Sequence, residues 1–272
     1  MTIESTHLLN TAFAITERCT LKCKLCIAFI PYHVNPRDLT LDEVSTILER
    51  YFSIVSSVDY FCLTGGEPLL HPNLLAIFKM LLRYSGQINK VMDITTNGTL
   101  DFKDEVIQFF KNHKERVRVI ISDYGRLSPK AKILAEKLSS IGVEFRVEHY
   151  NGESPLYGGW IDCRDHSFKH FTQHDIDEQG KSCHYKNKRG YPIRNGELHN
   201  CARSYWRMLK NIIPRNSEEY IDLLNTSESV DVQREKLRNL HKKFSVTSCA
   251  YCWGSNVKRE RHMPAEQLDK NS

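Results

Sequence analysis

Along residues 11–150, short runs of β-branched and aromatic residues alternate with longer stretches in which apolar residues recur every three or four positions. The short runs fall at 11–16, 58–64, 90–95, 116–122 and 143–149, and they predict five strands. The stretches between them carry helix punctuation. Thr40 followed by Glu43 has the pattern of a capping box, and Leu41, Val44, Ile47, Leu48 and Tyr51 form the apolar stripe of the helix it opens. Pro72 suits the first turn of a helix through Leu74, Ile77, Phe78 and Leu81, with Gly86 near its end. Ser128 before Pro129 opens another that stops at Gly142. Strands joined by crossover helices make a parallel sheet. Five strands are too few for an eight-stranded closed barrel, so the pattern predicts an α/β fold, a partial TIM-like barrel or an open twisted sheet of about five to six parallel strands. Function then belongs at the carboxyl ends of the strands.

After Tyr150 the alternation stops, and beyond Gln179 the chain is rich in Gly, Asn, basic residues and cysteine. The expected division is a strand-and-helix unit over 1–178, a small cysteine-rich module over 179–257 and a polar tail over 258–272 that frays. Within the module, Asn195-Gly196 between 191–193 and 198–200 predicts a β-hairpin.

Composition narrows the class. The chain has 272 residues, 40% of them hydrophobic, which is enough for one sizeable core. No stretch approaches the roughly 20 apolar residues of a membrane helix, and residues 1–10 lack a basic segment followed by an apolar one. The expectation is a cytoplasmic protein with no membrane partner, whose nine cysteines serve metals or catalysis rather than crosslinks. The net charge of +5 is too small to argue for nucleic acid, but it is uneven, with nine Lys/Arg in 181–215 against the single acid Glu197.

Three cysteines, Cys19-x3-Cys23-x2-Cys26, follow the first strand on one short loop. Thiolates are the preferred ligands of iron–sulfur clusters, and three of them on four irons leave one iron open for reaction. Spacing alone also allows a zinc site completed by His33, or plain buried thiols. The run Thr64-Gly65-Gly66-Glu67-Pro68 ends the second strand. Its glycines permit close backbone approach, and Glu67 can pair with a cationic amino group.

Together these two elements resemble the radical S-adenosylmethionine superfamily, over roughly residues 11–150. The resemblance implies a four-iron four-sulfur cluster on Cys19, Cys23 and Cys26 whose open iron is chelated by S-adenosylmethionine. It also implies that Gly65, Gly66, Glu67 and Pro68 bind the methionine part, with Glu67 on the amino group. Leu25, a bulky apolar residue before the third cysteine, fits the same pattern. Asn97 and Ser122, at the ends of strands three and four, are the implied polar contacts to the ribose, although Asn97-Gly98 also reads as an ordinary turn. The implied chemistry is reductive cleavage to a 5′-deoxyadenosyl radical that takes hydrogen from a substrate, with a flavodoxin or ferredoxin as electron donor.

A second group, Cys183-x12-Gly196-x4-Cys201 followed by Cys249-x2-Cys252, resembles the twitch domain, a shortened SPASM domain that would hold one auxiliary four-iron four-sulfur cluster. The spacing is similar to that of the twitch-type aminocyclitol (2-deoxy-scyllo-inosamine) dehydrogenases. Four thiols close a site, and a zinc ribbon is compatible with the same spacing. Among Lys186, Arg189, Arg194, Arg203 and Arg207, some would offset the charge of such a cluster or meet an anionic substrate such as a phosphorylated or nucleotide-linked sugar.

Cys62 reads as a small core residue of the second strand, and Cys163 as a hydrogen-atom donor if the enzyme is an epimerase. His166, His170 and His174 would share one face of a helix. The leading expectation is a two-electron oxidation of a small substrate assisted by the auxiliary cluster. The alternatives are epimerisation through Cys163, maturation of a ribosomal peptide and, from another class, a zinc-dependent nucleic-acid-binding protein. Only 18 residues precede Cys19, which weighs against the leader-binding domain that peptide maturases often carry.

Overall fold

The computed structural model describes residues 6–183, 190–255 and 259–269. Five parallel strands form where the periodicity changes: β1 (His7–Thr16), β2 (Ser57–Gly65), β3 (Ile88–Thr96), β4 (Val117–Asp123) and β5 (Glu144–His149). They are joined through the helices α1 (Leu41–Ile54), α2 (Leu74–Leu82), α3 (Asp104–Asn112) and α4 (Ala131–Ser140). The capping box of α1 is complete: Glu43 N donates to Thr40 Oγ1 at 3.2 Å, and Thr40 N donates to Glu43 Oε2 at 2.8 Å. Alternate strand residues, such as Phe13 and Ile15 on β1 and Phe61 and Leu63 on β2, enter a core shared with Val44, Ile47, Leu48 and Tyr51 of α1. That core locks α1 to the sheet, since the Tyr51 ring meets Phe61 edge-on and its hydroxyl bonds Thr11 at 2.6 Å.

The sheet does not end at β1. β6 (Gly190–Arg194) lies parallel beside it, from Asn10 opposite Gly190 to Ala14 opposite Arg194. β7 (Glu197–His199) and β8 (Tyr220–Asp222) follow antiparallel, giving the order β5-β4-β3-β2-β1-β6-β7-β8 among the described residues. The hairpin forms as predicted, its turn at Asn195 (φ 48°) and Gly196 (φ 86°) in the left-handed region that a two-residue hairpin needs. Backbone pairing nevertheless merges it with the parallel sheet, so the cysteine-rich module supplies the sixth parallel strand. The sheet is open, because no pairing joins β5 to β8. The expected boundary after residue 178 falls inside α5 (Gln173–Ser182). Among the described residues the module also contains α6 (Ala202–Leu209) and α7 (Val230–Lys242), and Arg234 of α7 reaches the Ser53 carbonyl of α1 at 2.7 Å.

Two local expectations are corrected. The polar tail is not frayed over 259–269: it pairs with the main body at Trp160–His262 and Cys23–Gln267, and Ala265 is buried. Polarity predicted fraying because it carries no trace of main-chain pairing. The three-histidine helix does not form either. Residues 161–171 have no helix, and His166 and His170 separately meet Arg207 Nε at 3.3 Å and the Cys252 carbonyl at 3.0 Å. No helix among the described residues is long and apolar enough to cross a membrane.

Candidate functional site

Cys19, Cys23 and Cys26 sit on the loop leaving the carboxyl end of β1, ahead of a single 3-10 turn at Ile30–Tyr32. The loop is folded on itself by Cys26 N donating to Cys23 O (3.1 Å) and Phe29 N donating to Cys26 O (2.9 Å). It is anchored by Arg18, which bonds both carboxylate oxygens of Asp38 (3.0 and 2.7 Å) and the Leu70 carbonyl (2.6 Å).

The Gly-Gly-Glu-Pro run is joined directly to this loop. Gly66 N donates to Thr16 O at 2.9 Å and Glu67 N to Arg18 O at 2.8 Å. A Cβ on Gly66 would collide with the Arg18 carbonyl and lie 2.9 Å from Cys19 Cβ, and one on Gly65 (φ 148°) would collide with the Thr16 carbonyl. The glycines are therefore required by the approach of β2 to the cysteine loop. Pro68 opens the short turn that follows and is buried.

Glu67 is fully buried, accepting from Asn97 N at 2.7 Å and Leu69 N at 3.1 Å. Burial pushes its pKa up to about 7 despite those bonds. The Asn97 side chain turns to the loop, donating to Thr20 Oγ1 at 2.9 Å and to Cys19 Sγ at 3.6 Å. Ser122 is buried at the end of β4 and bonds Tyr124, whose phenol is pushed up by burial and by the neighbouring charges of Cys23, Cys26 and Cys19. The structure thus gathers Gly65, Gly66, Glu67 and Asn97 at Cys19, with Ser122 reaching the same cysteines through Tyr124.

Burial raises the Cys19 thiol to about 11 and the Cys23 thiol to about 12, so both hold their protons at neutral pH in the unliganded site. His33, the residue that would complete a zinc site, has Nδ1 facing Glu17 at 3.2 Å, and its ring packs on Trp206. Among the described residues no three of His, Cys, Asp and Glu converge on a single metal ion. Three cysteine thiols on one loop are a ligand set of the kind iron–sulfur clusters use.

The second group lines one small cavity, where Cys183, Cys201, Cys249 and Cys252 face Asn200, Arg203 and Arg207. Asn200 is 4% exposed, and neither atom of its amide has a hydrogen-bond partner. Such an orphaned amide fits a site that takes a group with acceptor atoms. Arg203 is 2% exposed, and its one described hydrogen-bond partner is Cys163 Sγ at 3.2 Å. Burial works against its charge, yet the electrostatic pull of Cys252, Cys201, Cys163 and Cys183 holds its pKa well above the ordinary value. Burial would likewise raise Cys252, but Arg203 and Arg207 outweigh it and hold that thiol below its usual value. Arg207 is fixed by Ser248 O (2.7 Å), Ser248 Oγ (2.8 Å) and Tyr251 O (2.7 Å). Among the described residues neither Arg203 nor Arg207 forms an ion pair with a carboxylate, so two buried cations face the thiols.

The remaining predicted residues are placed as follows. Cys163 lies among the second group, beside Arg203 and within the field of Cys252 and Cys201. Cys62 faces away from Phe61 and Leu63, with Sγ 3.3 Å from Thr95 Oγ1. Arg194 donates to the Ala28 carbonyl at 3.1 Å, in the first site rather than the second. Lys186 and Arg189 lie outside the described residues. Sequence reasoning missed Phe29, Tyr124, Trp206 and Gln267, all of which touch one site or the other and none of which belongs to a spaced motif.

Residues 13–123, which hold both the cysteine triad and the Gly-Gly-Glu-Pro run, match the sequence profile of the Radical SAM superfamily. Among curated relatives, the chain is 31% identical over 124 residues to the GTP 3',8-cyclase of Campylobacter jejuni subsp. doylei, covering 46% of this chain and 37% of that one. It is 36% identical over 87 residues to molybdenum cofactor biosynthesis protein 1 of Homo sapiens, covering 31% of this chain and 13% of that one. The chain thus spans little more than a third of the first relative and less of the second. Among solved structures, BtrN in complex with AdoMet and 2-DOIA superposes with TM-score 0.52 at 13% identity, covering 98% of this chain and 100% of that one. Native anSMEcpe with bound AdoMet gives TM-score 0.53 at 13% identity, over 86% of this chain and 82% of that one. At such identity the likeness concerns the fold.

Proposed function

We propose that this protein is a radical S-adenosylmethionine enzyme that holds two four-iron four-sulfur clusters and oxidises a small substrate by two electrons. The observation that carries this reading is the second cysteine cavity, lined by four thiols and two buried arginines and distinct from the triad of the superfamily match. With a cluster on Cys19, Cys23 and Cys26, bound S-adenosylmethionine supplies methionine and a 5′-deoxyadenosyl radical on one-electron reduction by a flavodoxin or ferredoxin. The substrate gives a hydrogen atom to that radical, then a proton to a base, and its second electron to the auxiliary site.

The chain's own residues position these events. Gly65 and Gly66 let β2 hold the cysteine loop, and Asn97 orients Cys19 and Thr20. Glu67 would meet the amino group of the methionine part through lone pairs left by Leu69 and Asn97, and a cation there would draw its pKa down. Ser122 and Tyr124 supply hydroxyls for the ribose side. Arg203 and Arg207 face the auxiliary thiols, which leaves fewer cations for an anionic substrate than the count in 181–215 implied.

A second reading, a redox-neutral radical cyclisation, is favoured by the similarity of the first domain to proteins named GTP 3',8-cyclase. Anaerobic reconstitution with aminocyclitols, amino sugars and nucleotides separates the two. Oxidation gives about eight irons per chain, one deoxyadenosine per turnover and a product lighter by two hydrogens; cyclisation leaves the product mass unchanged. Deoxyadenosine formation surviving replacement of Cys19, Cys23 and Cys26 by alanine would refute both.

A further inference from the structure

The segment 259–269 ends the described chain against the first cysteine site, and nothing in the motifs accounts for it. We propose that this segment is a working part of that site, and that Gln267 is a positioning residue that hydrogen-bonds the sulfur of Cys23 and makes the cluster there easier to reduce. The inference rests on the reading that Cys23 is a cluster ligand.

The segment is fastened at both ends. Trp160 N donates to His262 O at 2.9 Å and His262 N donates to Trp160 O at 2.8 Å, which ties it to the chain following β5. Trp160 in turn meets the Tyr124 ring edge-on at 5.6 Å, beside the three cysteines. Farther along, Lys24 N donates to Glu266 O at 2.7 Å and Leu268 N to Lys22 O at 2.8 Å, so the segment lies antiparallel on the cysteine loop with Gln267 opposite Cys23. Lys24 and Glu266 add an ion pair at 3.0 Å on the outside.

The Gln267 amide has one orientation that satisfies its neighbours. Oε1 accepts from Lys22 N at 2.7 Å, and Nε2 donates to Ala265 O at 2.6 Å and to Cys23 Sγ at 3.4 Å. Turning the amide over would set N–H against N–H and oxygen against oxygen, so two main-chain contacts fix the donor on the sulfur. Reduction adds negative charge to a thiolate-bound cluster. A fixed N–H aimed at a ligand sulfur stabilises the reduced form more than the oxidised one and raises the potential. The same pairing keeps Cys23 at 8% exposure, and water at the ligand would otherwise compete for the sulfur.

The test compares wild type with Gln267→Met, which keeps side-chain length and removes both amide functions. The full-length protein is reconstituted anaerobically, and the first cluster is followed by its electron paramagnetic resonance signal, recognised by its response to S-adenosylmethionine. At the wild-type midpoint potential, the reduced-to-oxidised ratio in Gln267→Met is expected to fall three- to tenfold, tenfold being 59 mV for one electron, and iron loss to a chelator should accelerate about tenfold. An unchanged ratio together with an unchanged rate of iron loss overturns the proposal while leaving the proposed function intact. Wild-type protein that assembles no cluster on the triad overturns the proposed function instead. If Gln267→Met alone fails to assemble the cluster, hydrogen exchange of the cluster-free proteins decides. The Lys24 and Leu268 amides should be protected in wild type and lose at least tenfold of that protection in the variant, and equal exchange in the two proteins rejects the role of Gln267.

Discussion

Phe29 and Trp206 lie face to face, their ring centroids 5.0 Å apart and their planes 6° from parallel. Phe29 stands three residues beyond Cys26, and Trp206 five residues beyond Cys201 on α6. Both are nearly buried, and His33 closes the edge of the pair at 5.1 Å from Trp206. The stack is a shared wall through which the two cysteine groups are held in a set relationship. Phe29 adopts φ 55° to reach it, a left-handed conformation that persists in a bulky residue only when its surroundings hold it.

Trp206→Ala should therefore cost about 3–5 kcal/mol of stability, in the range for a large aromatic removed from a packed site. Trp206→Phe should recover most of it. A double-mutant cycle with Phe29→Leu and Trp206→Leu, read by denaturant unfolding of the cluster-free protein, should give a coupling of about 1 kcal/mol. Strict additivity of the two changes would show that the stack carries no energy of its own.

Gly66→Ala should displace the cysteine loop, because the added methyl meets the Arg18 carbonyl and Cys19 Cβ. Iron should fall from about eight to about four atoms per chain, with the far-ultraviolet circular dichroism unchanged. Deoxyadenosine formation should fall at least about a hundredfold, as expected when reacting groups are misplaced by an ångström. Full iron content in this variant would contradict the packing account of the glycine pair.

The pH dependence of stability carries the signature of Glu67. Its carboxyl titrates near 7 when folded and near 4.5 otherwise. Between those values the native state keeps a proton that the unfolded chain has released, so stability declines as the pH rises through this window. The loss by pH 8 is about 3 kcal/mol. Denaturant titrations of the cluster-free protein at pH 5 and pH 8 should show this decline in wild type, and the decline between those two pH values should be smaller by about 2.5 kcal/mol in Glu67→Gln, whatever the baseline cost of the substitution.

Alanine at Cys183, Cys201, Cys249 and Cys252 should lower iron by about half while leaving the signal of the first cluster. Cys163→Ala should leave iron unchanged and deoxyadenosine formation within about twofold, because Cys163 bonds Arg203 beside the second group. If that variant instead makes deoxyadenosine but no longer releases product, Cys163 returns a hydrogen atom to substrate and the enzyme is an epimerase. Iron analysis and product mass spectrometry distinguish these outcomes.

The five parallel strands, the capped helix α1, the turn at Asn195-Gly196 and the grouping of the cysteines are all legible in the order of residues. Each of these is set by residues within a few positions of one another: apolar period, cap and turn chemistry, ligand spacing. Three-dimensional packing was needed to show that β6 lies beside β1, that Gly66 is required because β2 approaches Arg18 and Cys19, and that Cys163 joins the second group. It alone brought Gln267 to Cys23 across 244 positions of sequence. Glutamine there looks like surface polarity, and Phe29 and Trp206 look like core, because the partner that gives each its role is supplied by the folding of a distant part of the chain. Local energetics leave a periodic trace that one sequence displays, whereas contacts between remote segments leave none.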